Sequence, residues 1–217
     1  MVRCHGSRTV SGVQDRLVWI DCEMTGLDLG GDVLLEIACL VTDGELTVLG
    51  EGVDIVIGAS EEQLTGMPEV VVQMHATSGL TDAVRDAITT VREAEEQVLA
   101  YVREWVPEAG KAPLCGNSIG TDRGFLARDM PELDGHLHYR MVDVSSVKEL
   151  ARRWFPRAYY ASPPKNGGHR ALADIRESIR ELAYYRRAVF VPAPGPDTAT
   201  AQAAAADVTA AFAPVHG

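Results

Sequence analysis

The sequence lacks the long apolar runs that mark membrane proteins. No hydrophobic stretch approaches the roughly 20 residues needed to cross a bilayer, and no apolar segment of the secretory kind follows Arg3 and Arg8 near the N-terminus. Internal repeats of the solenoid type are missing too. We therefore expect a protein without a membrane partner that acts in the cytoplasm.

Cysteine is scarce and is not arranged for metal binding. Cys4, Cys22, Cys39 and Cys115 form no C-x-x-C pair and have no histidine at zinc-finger spacing. Cys22 and Cys39 lie inside apolar runs, where a thiol behaves as a small hydrophobic group. We expect reduced thiols rather than disulfides.

Positive charge is also in short supply. The chain has 31 acidic and 20 basic residues and a formal net charge of −11. Such a protein repels a long polyphosphate backbone when cations are absent, so long nucleic acid is a poor partner. Acidity also simply keeps proteins soluble, and the charge becomes informative only if the carboxylates cluster.

The composition along the 217 residues predicts one folded domain with two extensions. Residues 1–14 are polar and without periodicity, and we expect a disordered leader there. Residues 15–190 form the expected domain. Residues 191–217 are rich in alanine and proline, which predicts a mostly disordered tail in which 201–213 could form a transient helix.

Hydrophobic periodicity within the domain predicts an α/β fold, with helices packed on a mixed sheet. The predicted strands are 17–23, 33–42, 46–57, 113–117 and 139–144. The predicted helices are 91–107, opened by a Thr90/Glu93 capping box, then 121–130, then 150–154 after a Ser146/Glu149 capping box, and 170–189, with a loop at 155–168.

Two acidic residues share one face of the first predicted strand. Because side chains alternate along a strand, Asp21 and Glu23 point the same way. An arbitrary D-x-E is most often a solvated strand end. The apolar run 17–20 indicates a central strand instead, where paired carboxylates are costly unless positive charge lies between them.

Two further acids and a histidine lie farther along the chain. Asp122 and Asp174 each come early in a predicted helix, where either could simply favour the helix dipole. His169 precedes Asp174 by five positions, which on one continuous helix would place them about 140° apart. They can converge only if His169 lies on the preceding loop, and Gly167 and Gly168 make that plausible.

Together these residues have the composition of a divalent-metal nuclease site. Carboxylate oxygens are ligands suited to Mg²⁺ or Mn²⁺ rather than to zinc. Two such ions can activate water and stabilise the leaving oxygen in phosphodiester hydrolysis. A histidine is then the natural general base.

Four segments in order resemble the motifs of the oligoribonuclease family, from about residue 15 to 191. They are DCEMTGLD at 21–28, GNSIGTD at 116–122, HYR at 138–140 with DVS at 143–145, and His169 to Asp174. The resemblance implies an RNase H-like, DnaQ-like exonuclease fold with a mixed five-stranded sheet, and a homodimer. It also implies two Mg²⁺ or Mn²⁺ ions and the release of 5′-mononucleotides from the 3′ ends of short RNA, dinucleotides above all, with linear di-GMP a candidate.

The resemblance also assigns roles by position. The metal ligands would be Asp21, Glu23, Asp122 and Asp174, with His169 as general base. Substrate would be bound by Leu27 between the bases, by Ser118, Arg140 and Ser145 at the 5′-phosphate, by Tyr139 from the partner subunit, and by His75. One departure concerns Val70, since familiar members carry a tryptophan in the 67–70 segment.

Two other functions fit parts of the pattern. A polymerase proofreading subunit would share the acidic motifs and act on DNA 3′ ends, but the HYR motif argues against it. A catalytically silent dinucleotide sensor would bind the same ligand. Such a sensor has no need to keep four carboxylates and a histidine, so we favour the enzyme.

Overall fold

The computed structural model describes residues 15–164 and 168–212. The predicted leader, residues 1–14, lies outside the described residues. So do Gly167 and the end of the predicted tail, 213–217.

A five-stranded mixed sheet forms the centre of the fold, in the order β3-β2-β1-β4-β5. Its strands are β1 (Leu17–Met24), β2 (Leu34–Thr42), β3 (Val48–Val56), β4 (Pro113–Gly116) and β5 (His138–Asp143). The first three form an antiparallel meander, and β4 and β5 continue the sheet in parallel with β1. The predicted α/β fold with a mixed sheet is confirmed, and all five predicted strands are present.

Ten helices surround or extend this sheet in the described part of the chain. They are α1 (Glu61–Thr65), α2 (Glu69–Ser78), α3 (Leu80–Asp86), α4 (Val91–Trp105), α5 (Gly120–Asp129), α6 (Pro131–His136), α7 (Val144–Trp154), α8 (Pro156–Tyr160), α9 (Ala171–Ala188) and α10 (Thr198–Ala211). None of the helices in the described ranges is long and apolar enough to span a membrane.

The alternation of β1 divides the core into two sides. Val18 and Ile20 belong to the large apolar cluster that includes Phe125 of α5. Trp19 belongs to a second cluster with Ile175 of α9, on the opposite face. Asp21 therefore follows Trp19 on the face that α9 covers, and α9 is the helix that carries Asp174.

One predicted helix start differs from the structure. The Ser146/Glu149 capping box is wrong, because α7 already begins at Val144. Asp143 occupies the N-cap and its side chain accepts the amide of Ser145 at 2.8 Å. An aspartate three residues before the predicted serine thus takes the cap and lengthens the helix.

Proline accounts for two further differences. We expected Pro131 only to stop α5, but it also occupies the first turn of α6. The predicted loop 155–168 likewise contains α8, which begins at Pro156. Proline is favoured at a helix start, because its missing N–H has no partner there and its φ is preset.

No helix or strand was predicted between β3 and α4, yet this segment contains α1, α2 and α3. These helices are short, and α2 leaves Val70 and Val72 exposed, so its sequence shows no clear apolar face. Leu64 and Leu80 nevertheless pack against Leu35 of β2 in a third apolar cluster.

The C-terminal extension contains α10, which overlaps the segment 201–213 where a transient helix was expected. Its N-cap Asp197 accepts the amide of Thr200 at 2.8 Å. No residue of α10 is buried. Cap and alanine propensity therefore account for the helix without packing. The division into domain and tail stays a prediction.

Candidate active site

An open cleft of about 420 Å³ brings the predicted catalytic side chains together. It lies where β1, the loop after β4, α5 and the start of α9 meet. The residues predicted to act in catalysis all line it: Asp21, Glu23, Asp122, His169 and Asp174. Two of the predicted substrate residues, Leu27 and Ser118, line it as well.

The carboxylates reach the cleft from three separate elements. Asp21 and Glu23 stand on β1, as the strand alternation predicts. Asp122 is buried in the first turn of α5, and its Oδ1 accepts the amide of Cys22 at 3.0 Å. This bond fixes the start of α5 against β1, so that Asp122 lies beside the D-x-E pair.

His169 lies on the loop before α9, which is the placement that the sequence required. Its backbone is left-handed, with φ of 46°, and the helix begins only at Ala171. One donor atom each from His169, Glu23 and Asp174 lie within 4.8 Å of one another. The loop therefore turns the imidazole toward the carboxylates.

Burial in the cleft, together with the charges of neighbouring carboxylates, raises the pKa of three carboxyl groups. Burial, followed by the charge of Asp122 and then of Glu23, raises the pKa of Asp21 from 3.8 to about 9. Burial and the charge of Asp174 raise the pKa of Glu23 to about 7. Burial likewise raises the pKa of Asp122 to about 7, although the amide of Cys22 opposes the shift.

This donor set fits divalent cations. Among the described residues that line the cleft, none is a lysine or arginine that could neutralise the carboxylates. Oxygen donors with one imidazole suit Mg²⁺ or Mn²⁺. A bound cation would favour the ionised carboxylates and so reverse the pKa shifts described above.

The metal-free protein should lose stability as the pH rises. Asp21 has a pKa of about 9 in the folded state and 3.8 in the unfolded chain. The folded state therefore holds an extra proton at intermediate pH. The stability that this proton contributes is complete below pH about 4 and is lost as the pH rises through about 9. In the presence of chelator, thermal melting should show Asp21→Asn more stable than the unaltered protein at pH about 9, by on the order of a few kcal/mol.

Asp207→Asn, on the exposed helix α10, is the control and should follow the unaltered protein. A melting temperature of metal-free protein that stayed level from pH 5 to 9 would contradict the electrostatic account. Added Mg²⁺ should remove most of the difference between Asp21→Asn and the unaltered protein.

Leu27 lies at the mouth of the cleft, and its side chain is 74% exposed. It belongs to the loop between β1 and β2, which Asp32 organises. Asp32 accepts the hydroxyl of Thr25 at 2.7 Å and the amide of Asp28 at 2.8 Å. Gly26 is required here, because a Cβ would lie 2.4 Å from Asp32 Oδ2. The loop holds an apolar side chain out over the carboxylates.

The two predicted phosphate-binding serines lie in contact. Ser118 has a left-handed backbone, with φ of 52°, and its Oγ lies 3.1 Å from Ser145 Oγ. The amide of Ser118 donates to Asp143 Oδ1, and Ser145 Oγ donates to Asn117 Oδ1, both at 3.0 Å. These bonds join the loop after β4 to the start of α7.

Tyr139 and Arg140 lie on β5, the edge strand of the sheet. Tyr139 is 73% exposed, and Arg140 donates from Nε to its hydroxyl at 3.1 Å. Arg140 is on the strand neighbouring the Ser118 loop, but its side chain bonds to Tyr139 rather than to the serines. The structure brings the two serines together and leaves these two residues at the sheet edge.

His75 lies beneath the cleft and does not line it. It is fully buried on α2, with Nε2 2.9 Å from Met24 O and Nδ1 3.9 Å from Glu23 Oε2. Its role in binding substrate stays a prediction. Because α2 was not predicted, no sequence signal indicated this burial.

Further residues to which the sequence analysis assigned no role also line the cleft. Glu177 and Ser178 follow Asp174 on α9, and Asn117 precedes Ser118. Glu177 is three positions after Asp174, so helical spacing alone would have placed both on one face.

Comparison with known proteins defines the class first. A family model described as Exonuclease matches residues 18–182. Structures of exonuclease I superpose with TM-scores of 0.64 and 0.63 at 13% and 14% identity, over 81% and 80% of this chain and 41% of each of theirs. One is a zinc-bound complex of the Escherichia coli enzyme with single-stranded DNA. The chain has an RNase H-like, DnaQ-like exonuclease fold.

Closer relatives define the family. Oligoribonuclease of Streptomyces griseus is 69% identical over 202 residues, covering 93% of this chain and 100% of that protein. Oligoribonuclease of Streptomyces coelicolor is 70% identical, with 89% and 96% covered, and that of Mycobacterium tuberculosis is 59% identical, with 91% and 92% covered. The chain belongs to the oligoribonuclease family.

Proposed function

We propose that the protein is a 3′→5′ exoribonuclease that hydrolyses short oligoribonucleotides, dinucleotides above all, to 5′-mononucleotides. Linear di-GMP is a candidate substrate. The observation that carries the proposal is the cleft, in which Asp21, Glu23, Asp122, Asp174 and His169 converge. The names of the relatives point to the same substrate class.

The carboxylates would hold two divalent cations, Mg²⁺ or Mn²⁺, which supply Lewis-acid activation of water and stabilise the leaving oxygen. His169 accepts the proton of the attacking water at its imidazole nitrogen. The P–O3′ bond then breaks, so the released nucleotide keeps its 5′-phosphate. The bond from the Cys22 amide fixes Asp122 to β1 and so keeps its carboxylate beside those of Asp21 and Glu23.

The binding of a short substrate follows from the residues around the carboxylates. Leu27 offers an apolar surface at the mouth of the cleft, suited to packing between two bases. Ser118 and Ser145 offer hydroxyls, and Arg140 a guanidinium, to a 5′-phosphate. Val70 is exposed on α2 and provides no aromatic surface for stacking.

Activity should be highest on two-residue RNA and fall steeply with length. The protein carries a net charge of −11. The described residues offer one proposed phosphate-binding cluster, so further phosphates find no basic track among them. Arg140→Ala should lose most of the discrimination between two-residue and ten-residue RNA, measured as the ratio of kcat/KM values.

Arg92→Ala is the matched control, because Arg92 is an exposed arginine on α4 that pairs with Glu96. It should keep the length preference. Equal efficiency of the unaltered protein on both lengths would refute the 5′-phosphate cap. Faster hydrolysis of long single-stranded DNA would instead favour a proofreading-type exonuclease.

We also propose a homodimer in which Tyr139 serves the partner's cleft. Tyr139 and Met141 are exposed on the edge strand β5, and unpaired edges are suited to association. Large apolar side chains are also exposed on the adjoining helices α7 and α8: Leu150, Trp154 and Tyr160. An exposed group of this kind is typical of an interaction surface.

Mixing two inactive variants should restore activity. A mixed dimer of Tyr139→Ala and Asp21→Ala subunits keeps one complete site, in which the Asp21→Ala subunit supplies Tyr139. Mixing Asp21→Ala with Asp122→Ala is the control and should stay inactive, because every site then lacks a carboxylate. A fully active monomer in solution would exclude the shared site.

The cytoplasm is the proposed place of action. Three described cysteines, Cys22, Cys39 and Cys115, are buried and unbridged. Reduced thiols of this kind are usual in a reducing compartment.

A further inference from the structure

We propose that Glu36 is a positioning residue for His169, acting through Arg170 and the first amide of α9. The inference rests on the proposed function, in which His169 is the general base. Glu36 stands on β2 and lies opposite Glu23 in the strand register, so it is next to the cleft without lining it.

The contacts of Glu36 are short and fully enclosed. Its side chain is completely buried. Oε1 lies 2.6 Å from Arg170 Nη2 and 2.7 Å from Arg170 Nε, and Oε2 accepts the amide of Ala171 at 2.9 Å. Charge-assisted bonds of this length are about twice as strong as neutral ones. One carboxylate thus bonds to both the guanidinium of Arg170 and the backbone amide of Ala171, the two residues that follow His169.

The N-terminus of helix α9 depends on these bonds to Glu36. Its N-cap residue is Arg170, which makes no side-chain cap bond. The oxygen of Glu36 that accepts the Ala171 amide takes the place of a local cap, from 135 residues away in sequence. The start of the helix is therefore fixed to the sheet rather than to its own loop.

The bonds between Glu36 and Arg170 also explain the left-handed backbone of His169. A φ of 46° is uncommon for a residue with a Cβ, and it persists only where neighbouring contacts determine it. Arg170 is the next residue and is held by two bonds to Glu36. Releasing it would let the loop relax and would move the imidazole away from Glu23 and Asp174.

A purely structural role would not favour a carboxylate at this place. The charge of Glu36 acts against ionisation of both Asp21 and Glu23. A neutral side chain could fill the same space between β2 and α9 without that repulsion. A buried acid beside an acidic cleft is better explained by its need to hold a guanidinium and an amide at once.

The test is Glu36→Gln, which keeps the shape and removes the charge. On two-residue RNA we expect kcat to fall about 10- to 100-fold, with KM nearly unchanged, because the base is misplaced while the binding surfaces remain. Arg170→Lys keeps the positive charge but loses the two-bond geometry of the guanidinium, and it should also lower kcat. This second variant tests the proposal even if Glu36→Gln folds poorly.

The matched control is Glu95→Gln. Glu95 is buried on α4, and its Oε1 accepts the amides of Glu132 and Leu133 at 2.7 and 3.0 Å, so it caps α6 as Glu36 caps α9. Replacing a buried charged cap by a neutral one weakens its hydrogen bonds and should lower the melting temperature of both variants. Only Glu36→Gln should lower kcat.

A double-variant cycle separates positioning from general damage. If Glu36 acts through His169, Glu36→Gln should cost nothing further in a His169→Ala background. The same loss in both backgrounds, or an unchanged kcat in Glu36→Gln, would overturn the proposal.

The imidazole signals of His169 in NMR spectra provide a readout that does not depend on activity. They should be single in the unaltered protein and in Glu95→Gln, and broadened or multiple in Glu36→Gln. Identical signals in all three would also overturn the proposal. Absence of hydrolysis by the unaltered protein would instead refute the proposed function.

Discussion

Removal of divalent cations is expected to abolish the hydrolysis of two-residue RNA. Without them, burial first and the charges of neighbouring carboxylates second raise the pKa values of Asp21, Glu23 and Asp122 to about 9, 7 and 7. At neutral pH part of the cluster is then protonated and cannot orient a water for attack. Protein dialysed against EDTA should release no mononucleotide, and added Mg²⁺ or Mn²⁺ should restore the rate.

The carboxylates themselves provide the second arm of this experiment. Asp21→Ala and Asp122→Ala should lose Mn²⁺ binding in titration calorimetry and should not recover activity at high metal concentration. Glu149→Ala, on the exposed face of α7 where Glu149 pairs with Arg152, should bind metal as the unaltered protein does. An undiminished rate after chelation would exclude a metal-dependent mechanism.

The acidic pair was predictable because its geometry is local. Strand alternation alone places Asp21 and Glu23 on one face, and the apolar run before them predicts the central strand. The loop position of His169 followed from helical geometry, since a continuous helix would have separated it from Asp174. Each of these predictions depended on a few neighbouring residues.

The residues that hold these side chains in place were not predictable, because such residues come from distant parts of the chain. His75 lies behind Glu23, and Glu36 holds Arg170 across 134 positions. No periodicity in either segment indicates such a partner. A buried polar residue in an apolar strand, such as Glu36 within 34–42, was the one available signal that a charged group must come from elsewhere.

Competition between alternative caps explains why a helix start was misplaced. Ser146 and Glu149 have the spacing of a capping box, but Asp143 is an equally strong cap and lies three residues earlier. The sheet decides between them, because β5 ends at Asp143 and brings its carboxylate to the Ser118 amide. One side chain thus ends the strand, starts α7 and fixes the serine pair of the cleft.

His169→Ala is expected to reduce kcat on two-residue RNA by about 10² to 10⁴-fold, the usual contribution of a positioned general base. The imidazole shares a group of donor atoms with Glu23 and Asp174, all within 4.8 Å, so it could be either a base or a metal ligand. The fold should be intact, because His169 lies outside α9 and the side chain of His169 takes no part in the bonds between Glu36 and Arg170.

Mn²⁺ titration distinguishes the two roles of His169. A base leaves metal affinity close to that of the unaltered protein, because the carboxylates hold the ions, whereas Asp21→Ala should lose it. Loss of Mn²⁺ affinity as large as that of Asp21→Ala would make His169 a ligand and assign the proton to another acceptor.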